Sequence, residues 1–252
     1  IFDPVAPHTL PSYARIKIDR RLLPGDDPDL AVKEIQKALG DMSPYKVNVE
    51  KDVVMLPSVV DEEAPIVKEL QELDEKGFII VDEQQRTSDK RIFAVGDVVG
   101  GYMLAHKATR EGKVAAEVIA GKPSAFDVRA IPAIVYTDPQ IAWCGVTEEQ
   151  ARRDNIKIEV QRFPWKFSGR ATTMGAPEGL TKIIIDPETQ RILGVGICGR
   201  NTEGLISEGV LAIEMGALAE DMALSIHPHP TLSETEGEAA EIFLGSATHI
   251  LS

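Results

Sequence analysis

Between Ala133 and Cys198 the sequence passes through five short apolar or alternating segments: Ala133 to Thr137, Ile141 to Cys144, Lys157 to Phe163, Leu180 to Ile185 and Ile192 to Cys198. Runs of this length and pattern read as β-strands. Helices are expected over Thr147 to Asp154, over Leu205 to Met215 and after His229. Antiparallel strands with helices segregated to one side make an α+β domain over residues 129–252. Phe163, Trp165 and Trp143 are expected to pack within it, and a surface aromatic would be a candidate subunit contact.

Within that domain the stretch from His227 to Glu234, His-Pro-His-Pro-Thr-Leu-Ser-Glu, concentrates the chemistry. Histidine moves a proton near neutral pH, and a carboxylate bonded to it fixes its tautomer and raises its basicity. Glu234 follows His229 by five positions and Thr231 by three. The second spacing is that of a capping box, with Thr231 as N-cap of an acidic helix. Two readings stand side by side: Glu234 as the partner of His229, or Glu234 as a cap only and His229 as a structural histidine.

Composition narrows the field. A net charge of -13 argues against nucleic acid, whose phosphates call for basic patches. Cys144 and Cys198 lie in apolar surroundings, form no C-x-x-C and have no histidine at zinc-like spacing, so they read as buried small hydrophobes. No apolar run approaches a membrane span, and no basic-then-apolar leader opens the chain. Ile1 stands where a mid-domain residue would, so a fragment is expected, with a cytoplasmic setting as the default.

Upstream, Tyr13 to Arg20 and Tyr45 to Glu50 alternate like half-buried strands. Between them lies a helix expected over Leu30 to Leu39 with Asp29 as its cap, giving half of a small α/β sandwich. A further helix is expected around Ile66, Val67, Leu70 and Leu73. From Glu75 the character changes. Phe78 to Val81 reads as a short apolar strand, and Arg91 to Gly96 as a buried strand ending in Gly96-Asp97. A glycine there admits close approach of a ligand, and a carboxylate at a strand end can accept hydroxyl hydrogen bonds; a plain turn is the bland alternative. A helix from about Lys107 to Ala120 follows, its N-terminal amides free to meet an electron-rich oxygen. His106 caps or faces solvent and is not a metal ligand.

The wording from Ala6 to Pro28, including Tyr-Ala-Arg-Ile-Lys-Ile-Asp-Arg-Arg, resembles the dimerisation domain of M20-type zinc peptidases and deacylases. That resemblance covers residues 1–72 and brings no zinc ligands. The family's His-x-Asp and Glu-Glu signatures are missing, and Glu62-Glu63 reads as a solvated helix start.

From about Glu75 to the end the sequence resembles the C-terminal part of the dihydrolipoyl dehydrogenases, members of the pyridine nucleotide-disulfide oxidoreductase family. The matching pieces are Ile92-Phe-Ala-Val-Gly-Asp-Val, Met103-Leu-Ala-His-Lys-Ala, Ile131-Pro-Ala-Ile-Val-Tyr-Thr-Asp-Pro, Phe163-Pro-Trp, Ile213-Glu-Met-Gly and the His227 stretch. They stand in family order. The resemblance implies an FAD-domain remnant over 73–128 and an interface domain over 129–252. It implies that Asp97 bonds the ribityl chain of FAD, that Gly96 permits close approach, and that Met103, Leu104, Ala105 and His106 face the flavin ring. It further implies that His229 deprotonates a dihydrolipoyl thiol and that Glu234 orients it, since a thiol attacks a disulfide only as thiolate. His229 would serve the partner subunit of a homodimer. NAD as acceptor, and the lipoyl domains of 2-oxoacid dehydrogenase complexes as partners, belong to the complete enzyme.

The departures are equally clear. The Gly-x-Gly-x-x-Gly of the FAD pyrophosphate site, the redox Cys-x-x-x-x-Cys and the NAD-binding βαβ unit are not in this sequence. A junction between two unrelated pieces is expected near Leu70 to Glu75. Three functions are therefore weighed: a truncated dihydrolipoyl dehydrogenase inactive by itself, a non-enzymatic dimerisation module, and an M20-type zinc hydrolase, the last without a ligand set.

Overall fold

A computed structural model describes residues 27–41, 46–51 and 72–250. The chain divides into two compact units, Ile1–Gln71 and Glu72–Ser252.

In the first unit, helix α1 spans Pro28–Leu39. Its N-cap is Asp27, not Asp29: the Asp27 carboxylate accepts the Asp29 amide at 2.8 Å. Pro28 sits at the first helical position, where a missing N–H costs nothing. Residues 46–50, the described part of the strand expected over Tyr45 to Glu50, form none. Alternation makes a strand only where a neighbour supplies the ladder bonds, and none pairs with them among the described residues. The expected strand over 13–20 and the helix around Ile66, Val67 and Leu70 lie outside the described residues, as does most of the peptidase-like segment. Leu73, expected as helical, instead makes an isolated bridge to Ile79.

The second unit opens with hairpin-like turns instead of the two expected strands. Phe93 bridges only Arg86, the Ala94 amide donates to the Gln85 carbonyl at 3.1 Å, and the Thr87 amide donates to the Ile92 carbonyl at 3.0 Å. The short turn over 82–87 is the available partner, so the ladder ends after one bridge. A single 3-10 turn, Gly96–Val99, then leads into helix α2, Ala105–Ile119.

Beyond it lies a five-stranded antiparallel sheet of β1 (Ala133–Val135), β2 (Gln140–Gly145), β3 (Glu159–Pro164), β4 (Leu180–Ile185) and β5 (Ile192–Gly199), in the order β1-β2-β5-β4-β3. Register explains which face is covered. Phe163 pairs with Thr181, Thr181 with Ile197 and Ile197 with Ala142, and all four are buried. One residue along, Arg162, Lys182 and Gly196 form the next row across the sheet. Its two cations meet Glu148 at 2.8 and 2.9 Å on the partly solvated face. Side chains alternate with a period of two, so one face is apolar and the other is wet.

Helices cover the apolar face. After α3 (Glu148–Arg153) and α4 (Gly169–Thr173) come α5 (Thr202–Met215), α6 (Ala219–Leu224) and α7 (Glu234–Leu244). Helix α5 packs on β2 and β5, α7 packs on β3 and β4, and α6 packs on α7. This is the expected α+β arrangement.

Trp165 is fully buried, and a Cβ added at Gly179 or Gly199 would fall 2.1 or 2.2 Å from its ring. Its indole Nε1 donates to Thr181 Oγ1 at 2.9 Å; Thr181 Oγ1 bonds Thr235 Oγ1 at 2.7 Å, which donates to the Leu232 carbonyl at 2.6 Å. A buried polar chain thereby runs from the sheet to the loop before α7.

Candidate active site

That loop, Ser225 to Ser233, carries the two histidines. Glu234 opens α7 and divides its carboxylate between two partners. Oε1 lies 2.8 Å from His229 Nδ1, and Oε2 accepts the Thr231 amide at 2.7 Å. The half of the capping box in which glutamate reaches back is present. The other half is not: Thr231 Oγ1 donates to the Pro228 carbonyl at 2.6 Å, and the N-cap of α7 is Ser233. Thr231 spends its hydroxyl tightening the turn, so the helix starts later than the spacing suggests. The two readings of Glu234 are both met, one oxygen each.

Burial tends to raise the Glu234 carboxyl, but the Thr231 amide and the His229 hydrogen bond and charge outweigh it and hold it below the usual range. An ionised carboxylate only accepts, so His229 carries its proton on Nδ1 and turns a basic Nε2 outward. The His229 side chain is 73% exposed, against 27% for Glu234. The base is presented and its orienter is sheltered.

His227 points the other way. Its side chain is 11% exposed, and Nε2 lies 2.7 Å from Glu208 Oε1 on α5. The i, i+2 spacing of the two histidines sends one ring inward and one outward. Glu208 as its partner was not legible, because it lies far off in sequence on a helix whose facing is set by tertiary packing.

The Gly96-Asp97 turn is a second, separate cluster. Gly96 has a φ of +84°, a conformation that suits glycine, and a Cβ there would press within 3.3 Å of Ala108. Its amide donates to Glu111 Oε2 at 2.7 Å, and Glu111 Oε1 meets Lys107 Nζ at 2.7 Å. Lys107 and Glu111 are almost wholly buried. Nothing in the sequence singles out either as a buried charge. Their i, i+4 spacing on α2 was the available signal, but charged pairs at that spacing are usually solvated.

Asp97 is exposed beside this turn, as are Met103, Ala105 and His106, while Leu104 is half-buried. Leu104 is the N-cap of α2 and has no oxygen in its side chain to satisfy the first amides, so they stay open to a ligand. His106 Nε2 bonds the Pro132 carbonyl at 2.7 Å, tying α2 to the start of the sheet domain. The His229–Glu234 pair makes its polar contacts within its own loop and α7; the Asp97 turn makes its contacts with α2 and with Ile79.

Both cysteines are free thiols. Cys144 is buried, and burial with the nearby Glu236 pushes it up to about 12. It is a packing residue. Among the described residues no group of three His, Cys, Asp or Glu side chains could hold a metal ion.

Residues 131–240 match the dimerisation domain of the pyridine nucleotide-disulphide oxidoreductases, and residues 59–112 match the family's pyridine nucleotide-disulphide oxidoreductase domain. The chain is 55% identical over 179 residues to a dihydrolipoyl dehydrogenase of Vibrio parahaemolyticus, covering 71% of this chain and 38% of that protein. It is 52% identical to a dihydrolipoyl dehydrogenase of Haemophilus influenzae, covering 71% of this chain and 37% of that one. The chain thus spans less than two-fifths of the length of these relatives. Among solved structures, the HOCl-induced flavoprotein disulfide reductase of Escherichia coli superposes with a TM-score of 0.62 at 26% identity, covering 68% of this chain and 40% of that one. LpdA of Mycobacterium tuberculosis superposes with a TM-score of 0.67 at 24% identity over 75% of this chain and 41% of that one, a likeness of fold. Over these two stretches, residues 59–112 and 131–240, the chain is similar to the pyridine nucleotide-disulphide oxidoreductases.

Proposed function

We propose that this chain carries the thiol-deprotonating part of a dihydrolipoyl dehydrogenase, together with a partial FAD cradle and the surface for a second copy. The carrying observation is the Glu234 carboxylate, which holds His229 Nδ1 at 2.8 Å while the Thr231 amide holds Glu234 in turn. His229 Nε2 takes the proton from a dihydrolipoyl thiol, the imidazolium is stabilised by Glu234, and the thiolate becomes the nucleophile for disulfide exchange. The Thr231 amide and His229 keep Glu234 ionised against the effect of burial, and the exposure of His229 lets it reach a substrate bound by another subunit.

FAD fits the second cluster. The glycine at 96 lets the turn pack closely on Ala108 of α2, Asp97 offers an exposed acceptor for hydroxyls, and the open amides of α2 suit an electron-rich ring edge. Met103 and Tyr102 present apolar surface beside them, 55% and 42% exposed. Bound FAD would supply two-electron transfer toward NAD. The Lys107–Glu111 pair is the chain's own contribution to that cradle, because it fixes the Gly96 peptide.

Exposed apolar side chains support a homodimer: Met215 and Leu211 on α5, Leu224 at the end of α6, Ile226 just after it, and Tyr136 beside β1. A patch of this kind on a domain of this family suits a second copy. Lipoyl domains would deliver the dithiol.

Grafting residues 73–252 into the Vibrio parahaemolyticus relative tests the proposal. The chimera is expected to reduce NAD with dihydrolipoamide, whereas the 252-residue chain by itself is expected to show no turnover. A folded, flavin-loaded chimera without activity would contradict it. Gel filtration of the chain after incubation with FAD reports the cradle separately through co-eluting flavin absorbance.

A further inference from the structure

His227 does not touch the reacting atoms assigned above, yet it is the most enclosed histidine of the loop. Its ring lies between two helices. Nε2 is 2.7 Å from Glu208 Oε1 on α5, and a Cβ added at Gly237 on α7 would come within 3.1 Å of Cε1 and Nδ1. The nearby Ser225 backbone also favours the charged form of the ring. An imidazolium can donate from both nitrogens to two acceptors; a neutral imidazole can donate to only one.

We infer that His227, held between Glu208 on α5 and Gly237 on α7, is a positioning residue that braces the His-Pro-His-Pro turn so that His229 stays on Glu234. The inference rests on the reading of His229 as the thiol base. Residue 227 is fixed from both sides, and His229 lies two residues on. Motion allowed at 227 is therefore handed directly to the exposed ring at 229.

The groups facing His227 favour its charge. Glu208 approaches from α5, and Glu234 and Glu241 from α7. Glu236, buried on α7 beside Glu208, has its proton affinity raised by burial and so adds little negative charge. The Glu208 hydrogen bond raises the His227 value above 6.5 against the opposing effect of burial. A raised histidine contributes stability that is fully present below its unfolded value and is lost as pH rises through the folded one. The brace is thus complete on the acid side of neutrality and slackens as pH climbs.

The test is imidazole 15N spectroscopy of the 252-residue chain, which reads the tautomer of His229 directly. In the wild type His229 is expected to favour the Nδ1–H form, and this preference should decline as His227 loses its proton in the same spectra. His227→Gln and Glu208→Gln should each lower the Nδ1–H to Nε2–H ratio by roughly tenfold, the equivalent of one lost hydrogen bond. The ratio should also lose its link to the His227 titration. Glu208→Gln keeps the side-chain shape and decides the matter if the His227 variant does not fold. A wild-type tautomer ratio in a folded variant overturns the inference. Turnover of the chimera indifferent to His229→Gln, with the tautomer still responding, would fail the base and not the brace.

Discussion

His229 Nδ1 and Glu234 Oε1 lie 2.8 Å apart, and the remaining oxygen of that carboxylate is occupied by the Thr231 amide. The orienting group is thereby oriented itself. A carboxylate free to rotate would lose the histidine part of the time; one pinned at its second oxygen does not. The Trp165–Thr181–Thr235 chain of hydrogen bonds ends at Leu232, so the sheet supports the same loop from below.

Glu111→Gln should destabilise the folded chain by about 3–5 kcal/mol, because it leaves the buried Lys107 ammonium without its counter-charge. Both side chains are at most 7% exposed, so water cannot compensate. Chemical denaturation measures the loss. The same variant should no longer retain FAD on gel filtration, since the Gly96 amide loses its carboxylate acceptor.

Glu236→Leu should stabilise the chain at neutral pH. Glu236 is wholly buried, and neither carboxyl oxygen has a hydrogen-bond partner. Burial first, then the charge of Glu208, raise its proton affinity well above 4.5. The unfolded chain therefore releases this proton more readily, and stability falls as pH rises above 4.5 toward the folded value. The gain should be about 1–3 kcal/mol at neutral pH and should shrink as the solution is acidified toward the unfolded value. Thermal melts across pH follow it.

Gly199→Ala should cost about 1–3 kcal/mol as overpacking against a ring that cannot retreat. The added methyl would meet Trp165 Cζ3 at 2.2 Å. Melting of the variant measures this, and Gly204→Ala, where a Cβ meets nothing within 4 Å, is the control expected to leave stability unharmed.

Pulse alkylation with mass-spectrometric mapping should leave Cys144 unlabelled in the folded chain at mildly alkaline pH and label it after denaturation. A thiol pushed up to about 12 offers almost no thiolate there.

What the sequence discloses depends on where each residue's environment comes from. Strand β4, Leu180–Ile185, matches its expected bounds because it pairs on both sides in the interior of the sheet. Arg91 to Gly96 has an equally apolar pattern but finds only the turn over 82–87 to pair with, so pattern alone overstates it. His229 and Glu234 are five residues apart and readable together, whereas Glu208 comes to His227 across tertiary packing. Glu236 is the plainest miss. In the acidic stretch after Ser233 it looks like its solvated neighbours, but on α7 it lies about 200° around from Glu234 and turns into the protein.

Turnover of the grafted enzyme with His229→Gln tests the thiol-base assignment most directly. Loss of a general base should cut dihydrolipoamide oxidation by about 10²–10⁴-fold while bound flavin and the folded dimer are retained. A flavin-loaded variant that oxidises dihydrolipoamide at the unmodified chimera's rate would contradict the assignment of His229 and Glu234.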